Sequence, residues 1–312
     1  MFNSTHTLVG LAIARTGLDR WAPYATPTAL IAANLPDIEI LTGLAGTSTY
    51  IEYHRGLTHS FIGIPVLSLA LALGMYIFSG SFWKTFLIAL AVMTTHPALD
   101  YANTYGLRPF LPFDQTWYYG DTLFIIDPYL DLALLAGCLV GYRFPSIRRL
   151  SAWLSVLVAL AYIGIRAEFH AEARNQLATY TATLPDLQTS AVFPRMADPR
   201  IWDGIIGTKE EMIKVRIDIR HGVDRELARM PQGVSSEIIG HASTALSAGT
   251  FIGFARFPVT RIEGTEFGYR VTFIDFRFYN ETTGRAFAAE VLLDQSLRVI
   301  KDSLGFNKPV KE

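Results

Sequence analysis

The chain has 312 residues, a net charge of −1 and one cysteine; half of it is hydrophobic, 18% is charged, and the mean hydropathy is +0.27. Soluble domains carry about a quarter charged residues, so a soluble cytosolic enzyme is the weaker expectation, and the balanced charge leaves no footprint for nucleic acid. The single Cys138, in an apolar run, excludes an intramolecular disulfide framework and a cysteine-rich zinc cage, so a bound metal would need His and carboxylate ligands.

Residues 1–166 are more than half of the chain but hold 9 of its 27 Lys and Arg and 9 of its 28 acids. Near the start, the apolar segments 7–14 and 25–35 are too brief to cross a bilayer and are expected as buried or half-inserted helices, paired in a shallow hairpin whose turn carries Arg15, Asp19 and Arg20. Longer apolar runs follow at 61–79, 85–95, 125–142 and 150–165, the second needing its flanks to approach the roughly 20 residues that a bilayer demands. About four spans are expected. The first residues lack a basic region and a small-residue cleavage site, so no removable signal peptide is expected. Lys84 falls between the first two spans, and Arg143, Arg148 and Arg149 between the last two, which makes both connections cytoplasmic. The segments 54–59 and 96–127, and everything after Arg166, then face the extracytoplasmic side of a bacterial inner membrane.

Beyond Arg166 the texture changes to an amphipathic helix over 166–182 and then to alternating runs such as MIKVRIDIR, YRVTFIDFRFYN and FAAEVLLD, separated by Glu-Gly, Phe-Gly and Thr-Gly turn signals. Tyr269, Val271 and Phe273 alternate with Arg270, Thr272 and Ile274, the pattern of a sheet with one wet face. The expected fold is a mainly α-helical membrane bundle of about four spans plus short N-terminal helices, followed by a small β-rich α+β soluble domain. Its divisions are 1–166, a connecting helix and linker over 167–189, and 190–312.

Four of the seven histidines, His6, His54, His59 and His96, lie in the oily half, where an ionisable group is expensive unless paired or bound to a metal. They come with Asp37, Glu39 and Asp100, and neutral imidazole with carboxylate is a ligand set for zinc, manganese or iron. His96 and Asp100 are four apart and share one helix face; Pro97 fits there only if His96 opens a new helix or sits at a kink. Orienting the spans by Lys and Arg places His54, His59, His96 and Asp100 on one side, and the N-terminal hairpin would return His6 and Asp37 to it. Asp127 precedes Pro128, as a helix N-cap precedes proline at the first helical position, while Asp121 lies in a long stretch that can approach the site. His170, His221 and His241 lack matched acids at ligand spacing.

In order, His6, Pro36-Asp37-Ile-Glu39, His54-Arg55-Gly-Leu-Thr-His59-Ser and His96-Pro-Ala-Leu-Asp100-Tyr-Ala-Asn103-Thr-Tyr-Gly resemble the YdjM-like family of inner-membrane metal-dependent hydrolases, strongly over about residues 1–170. The resemblance implies a divalent metal and a hydrolytic reaction. On that basis His6, Asp37, His59, His96 and Asp100 are expected as ligands, with zinc the first choice of metal and manganese or iron next. His54 would act as ligand or general acid and base, Glu39 would orient a ligand or accept a proton, and Arg55 would hold an anionic oxygen. Asn103, Asp121 and Asp127 are expected to touch substrate or support the ligands. The membrane surface favours a lipid-like ester or phosphoester as substrate; the lipid bilayer is the expected partner, and the sequence identifies no protein partner. The competing expectation is a non-enzymatic membrane protein, either a metal-ion transporter or a scaffold binding a partner through its tail.

Overall fold

A computed structural model describes residues 1–232 and 236–306. The chain divides into two compact units, one formed by residues 1–40, 53–170 and 194–199, the other by 41–52, 171–193 and 200 onward.

The helical part opens with α1 (Asn3–Arg15) and α2 (Ala25–Asn34). A 3-10 helix, Leu35–Ala45, continues directly from α2, because Pro36 sits in its first turn, where a missing N–H costs little. The joined helix Ala25–Ala45 is 21 residues long and apolar enough to cross a membrane, whereas residues 25–35 alone were too brief. Next come α3 (Thr47–Tyr53), a 3-10 turn at Leu57–His59, α4 (Gly63–Ser79), α5 (Phe82–Met93), α6 (Thr95–Tyr101), α7 (Pro128–Arg143) and the long α8 (Arg148–Thr181).

Among the described residues, Ala25–Ala45 and Pro145–Thr181 qualify as candidate spans on length and apolarity. Thr47–His59 joined to Gly63–Ser79 across a 79° bend makes a third if counted as one crossing. The helices of the runs 85–95 and 125–142 have 12 and 16 residues, short of a full crossing. Large apolar side chains such as Leu73, Ile77, Trp83, Leu132, Leu154 and Leu160 point outward from the helices, the reverse of a water-facing surface.

Small residues bring the helices of the first unit together. A Cβ built on Gly10 of α1 would lie 2.7 Å from the Cβ of Ala33, so α1 and α2 touch almost backbone to backbone. Ala14, Ala25, Ala29, Ala32 and Ala33 pack there against Ile88, Ala89, Val92 and Met93 of α5. At the far end of α1, Arg148 pairs with Asp19 at 2.7 Å and Arg149 donates to the Thr16 carbonyl at 2.8 Å. The turn carrying Arg15, Asp19 and Arg20 therefore lies beside the α7–α8 connection.

The C-terminal part holds two four-stranded antiparallel sheets. The first is β1 (Thr189–Arg195), β2 (Asp198–Gly207), β3 (Glu211–Asp218) and β4 (Gly222–Pro231), in that order. After α9 (Glu237–Ser243) and α10 (Leu246–Phe254) comes the second, β5 (Pro258–Thr265), β6 (Gly268–Asp275), β7 (Phe287–Asp294) and β8 (Val299–Phe306). The wet face expected for β6 is covered instead. Val271 and Phe273 pack with Ala248 and Phe251 of α10, while Ile274 on the opposite face joins Ile205 and Met212 of the first sheet. The second sheet is thus covered on both faces, and beside it Arg277 and Asp275 form a buried ion pair at 2.6 Å.

Candidate metal centre

Four chain segments meet at the polar cluster of the first unit. His6 lies in the first turns of α1; Asp37 and Glu39 lie in the 3-10 helix after α2; His54, Arg55 and His59 flank the 3-10 turn before α4; and His96 and Asp100 lie on α6. The kink needed for Pro97 is a clean helix restart. The segment α5 ends at Met93, Thr94 intervenes, and α6 begins at Thr95, so Pro97 occupies the first turn of a new helix and no ladder bond is lost.

Asp37, His59, His96 and Asp100 present one ligand atom each, all within 4.8 Å of one another. His59 Nε2 is 3.6 Å from Asp37 Oδ1 and 3.3 Å from Asp100 Oδ2; His96 Nε2 is 3.4 Å and 3.5 Å from the same two oxygens. The imidazoles are completely buried, yet neither Nε2 has a hydrogen-bond partner. Leaving a buried polar atom unsatisfied is costly, and two of them aimed between two carboxylates fit a divalent cation as the missing partner. The donor set of two imidazoles and two carboxylates suits zinc, manganese or iron alike.

Both imidazoles are turned to this task from behind. The Nδ1 of His96 lies 2.7 Å from the Ala33 carbonyl, which fixes it as the N–H donor and leaves Nε2 as the free lone pair. His59 Nδ1 faces Glu39 Oε2 at 3.5 Å and the Thr58 hydroxyl at 3.0 Å, and that hydroxyl donates to Glu39 at 2.6 Å. Thr58 thus bridges carboxylate and imidazole. Such outer partners are worth roughly 10–100-fold in metal affinity, so Thr58→Val is expected to weaken binding by about that factor in a metal titration while Thr58→Ser stays near the parent.

His6 belongs to the cluster but outside the tight set of four. Its ring stacks on His96 with centroids 3.7 Å apart, and its Nε2 is 3.4 Å from Asp100 Oδ1. Neither His6 nitrogen has a hydrogen-bond partner, which leaves it available as a further ligand. His54 faces the other way, with Nδ1 3.2 Å from Glu39 Oε1, so Glu39 joins His54 to His59 and is no member of the tight set itself. Arg55 is buried and has φ 48°, a left-handed conformation that lets its backbone N–H reach Glu39 while its side chain turns inward. Its guanidinium donates to Asp100 at 3.1 Å, to Asn103 at 2.8 Å and to the Gly106 carbonyl at 3.3 Å. Asn103 in turn donates toward Asp100 Oδ1 at 3.4 Å. Arg55 and Asn103 therefore support a ligand in this arrangement.

Asp127 is the N-cap of α7, accepting from Tyr129 N and Leu130 N at 3.2 Å and from the Tyr162 hydroxyl at 2.9 Å, the capping role that its Pro128 neighbour signals. Asp121 is buried with φ 52°, just after Gly120, whose N–H donates to the Tyr101 carbonyl, and just before Thr122 and Leu123, which donate to Ala102. That places it alongside the end of α6. Sequence reasoning missed the Ala33 carbonyl, the Thr58 bridge and the amino group of Met1, which pairs with Asp100. Thr58 alone had a visible signal, its place inside the His-Arg-Gly-Leu-Thr-His run.

Residues 1–173 match the family model described as YdjM inner membrane protein, and residues 237–311 match the one described as YfhP C-terminal alpha/beta plait domain. The chain is also similar to a Bacillus subtilis relative, "Uncharacterized protein YfhP", at 24% identity over 292 residues, covering 89% of this chain and 87% of the relative. No solved structure matches.

Proposed function

The chain belongs to the YdjM inner membrane protein family, and from that premise we propose that it is a membrane-bound metal-dependent hydrolase of an ester or phosphoester in a lipid-like substrate. The observation that carries this reading is the buried set Asp37, His59, His96 and Asp100, whose paired imidazole Nε2 atoms have no other partner. These four residues would hold the ion, His6 would be the fifth candidate, and zinc is the first choice of metal. A divalent ion in such a site supplies water with a pKa near neutrality and polarises the oxygen of the bond to be cleaved.

The protein's own groups divide the remaining work. Asp37 is the one member of the set with appreciable exposure, at 23% of its side chain, so the substrate head arrives on its side of the cluster. Glu39 holds His59 in orientation through Nδ1 and, with His54 on its other oxygen, forms a short path by which a proton can move between Glu39 and the partly exposed His54 ring. Arg55 and Asn103 fix the Asp100 carboxylate, and Arg55 Nη2, so placed, lies next to where negative charge would develop. Asp121 would assist from the end of α6.

The proposal extends to location. Lys84, Arg143, Arg148 and Arg149 orient a multi-pass protein with the centre and the C-terminal domain on the extracytoplasmic side. What supports it is the ion pair that brings Asp19 to Arg148 at the opposite end of α1 from His6. Purified full-length protein loaded with zinc or manganese is expected to turn over at least one member of a panel of chromogenic phosphodiester, phosphomonoester, acyl ester and amide substrates, with His59→Ala inactive. Silence across the whole panel, together with metal flux into liposomes, would instead make it a transporter.

A further inference from the structure

Next to the metal centre, and within the same unit, lies a cavity of about 570 Å³ walled by Ile64, Pro65, Leu90, Pro97, Ala98 and Leu107. The volume falls in the range of roughly 300–1,000 Å³ typical of sites for small organic ligands. The two aliphatic hydroxyls on its wall are already spent. The Ser60 hydroxyl donates to the Leu57 carbonyl and accepts from Gly63 N, and the Thr94 hydroxyl donates to the Leu90 carbonyl. A polar ligand would lose its bonds to water there and regain few, whereas a hydrocarbon loses nothing.

The cavity and the centre share two pieces of structure. His59 carries a donor atom of the metal set and also lines the cavity. The helix α6 turns His96 and Asp100 to the metal set, and Pro97, Ala98 and Tyr101 to the cavity. At its outer edge the exposed rings of Phe61 and Phe110 stand 5.3 Å apart, and Phe110 meets Tyr118 at the same distance, an aromatic lip of the kind found at membrane interfaces. We infer that this cavity binds the hydrocarbon tail of the molecule whose polar head is cleaved at the metal centre. The inference rests on the hydrolase reading for the head and on the cavity alone for the tail.

The test uses full-length protein in phosphatidylcholine nanodiscs and, as probe, dodecyl phosphate with a diazirine at the chain end. Photolabelling is expected on peptides carrying Ile64, Leu90 or Leu107 at least tenfold above that on peptides carrying the outward-facing Leu154 and Leu157, which report ordinary bilayer contact. Ala98→Trp, which fills the cavity, is expected to cut cavity labelling at least tenfold with metal content unchanged. Leu90→Phe, on α5 and outside the ligand set, gives a second reading and should lower labelling in the same direction. Equal labelling of cavity and bilayer-facing peptides, or full labelling in both filled variants, overturns the tail site. Labelling is also read after metal removal, which separates the two readings. Labelling that survives metal removal, from protein that even when metal-loaded turns over no substrate, supports the tail site and sinks the hydrolase; turnover of short and long substrates alike by the loaded protein, without cavity labelling, does the reverse.

Discussion

Protein carrying His96→Ala together with Asp100→Ala is expected to come out of the membrane fraction in normal yield but without bound metal, as read by elemental analysis of the detergent-purified chain. The two residues supply half of the tight donor set, and they leave from one helix face, so no neighbouring side chain on α6 can replace them. Yield should hold because the α1, α2 and α5 contact around Gly10 and Val92 is made of apolar and small side chains, none of which the two substitutions remove. Single variants should fall between. His6→Ala, which leaves the four intact, should weaken binding without abolishing it. Stoichiometric metal in the double variant would remove the centre from further consideration.

Replacing Arg55 by Met is expected to destabilise the first unit by about 3 kcal/mol, visible as a lowered thermal midpoint in detergent. The guanidinium is buried and fills three acceptors, on Asp100, Asn103 and Gly106, and removing one partner of a buried charge pair costs on the order of 3–5 kcal/mol. The lower figure is chosen because Asp100 keeps other partners, the Met1 amino group and Asn103. Arg55→Lys should recover little of the loss. An ammonium on a single stem cannot serve Asp100 and Asn103 at once, as Nη2 and Nη1 of the planar fork do. A lysine variant as stable as the parent would show that charge alone, and not the fork, is what this position needs.

The centre was legible in the sequence to different depths. His96 and Asp100 could be paired from spacing alone, and His54 with His59 from closeness. His6 and Asp37, unremarkable one by one, join only because Gly10 lets α1 settle against Ala33, a contact between small residues that carries no hydrophobic signature. The division of labour between Asp37 and Glu39 was hidden for a related reason. Two residues apart on a 3-10 helix, they diverge, one towards His59 and His96 and the other towards His54 and the far nitrogen of His59. The apolar run 25–35 ends at the polar Asp37 and Glu39, so it is too brief by itself, whereas a 3-10 helix carries the segment on to Ala45. In the C-terminal sheets the alternation of β6 suggested water on one face. Nothing in that strand says that the other sheet, separated from it in sequence by two helices and a strand, covers it.

The support behind His96 has a consequence for how the protein would be dissected genetically. Its acceptor is a main-chain carbonyl, and the residue that owns it is already alanine. An alanine scan along α2 therefore passes over one of the props of the centre without a phenotype, and a map of essential positions drawn from such a scan would leave position 33 blank. Replacing the Ala33–Asn34 amide by an ester, which weakens the carbonyl as an acceptor while leaving every side chain in place, is the change to which that position would respond.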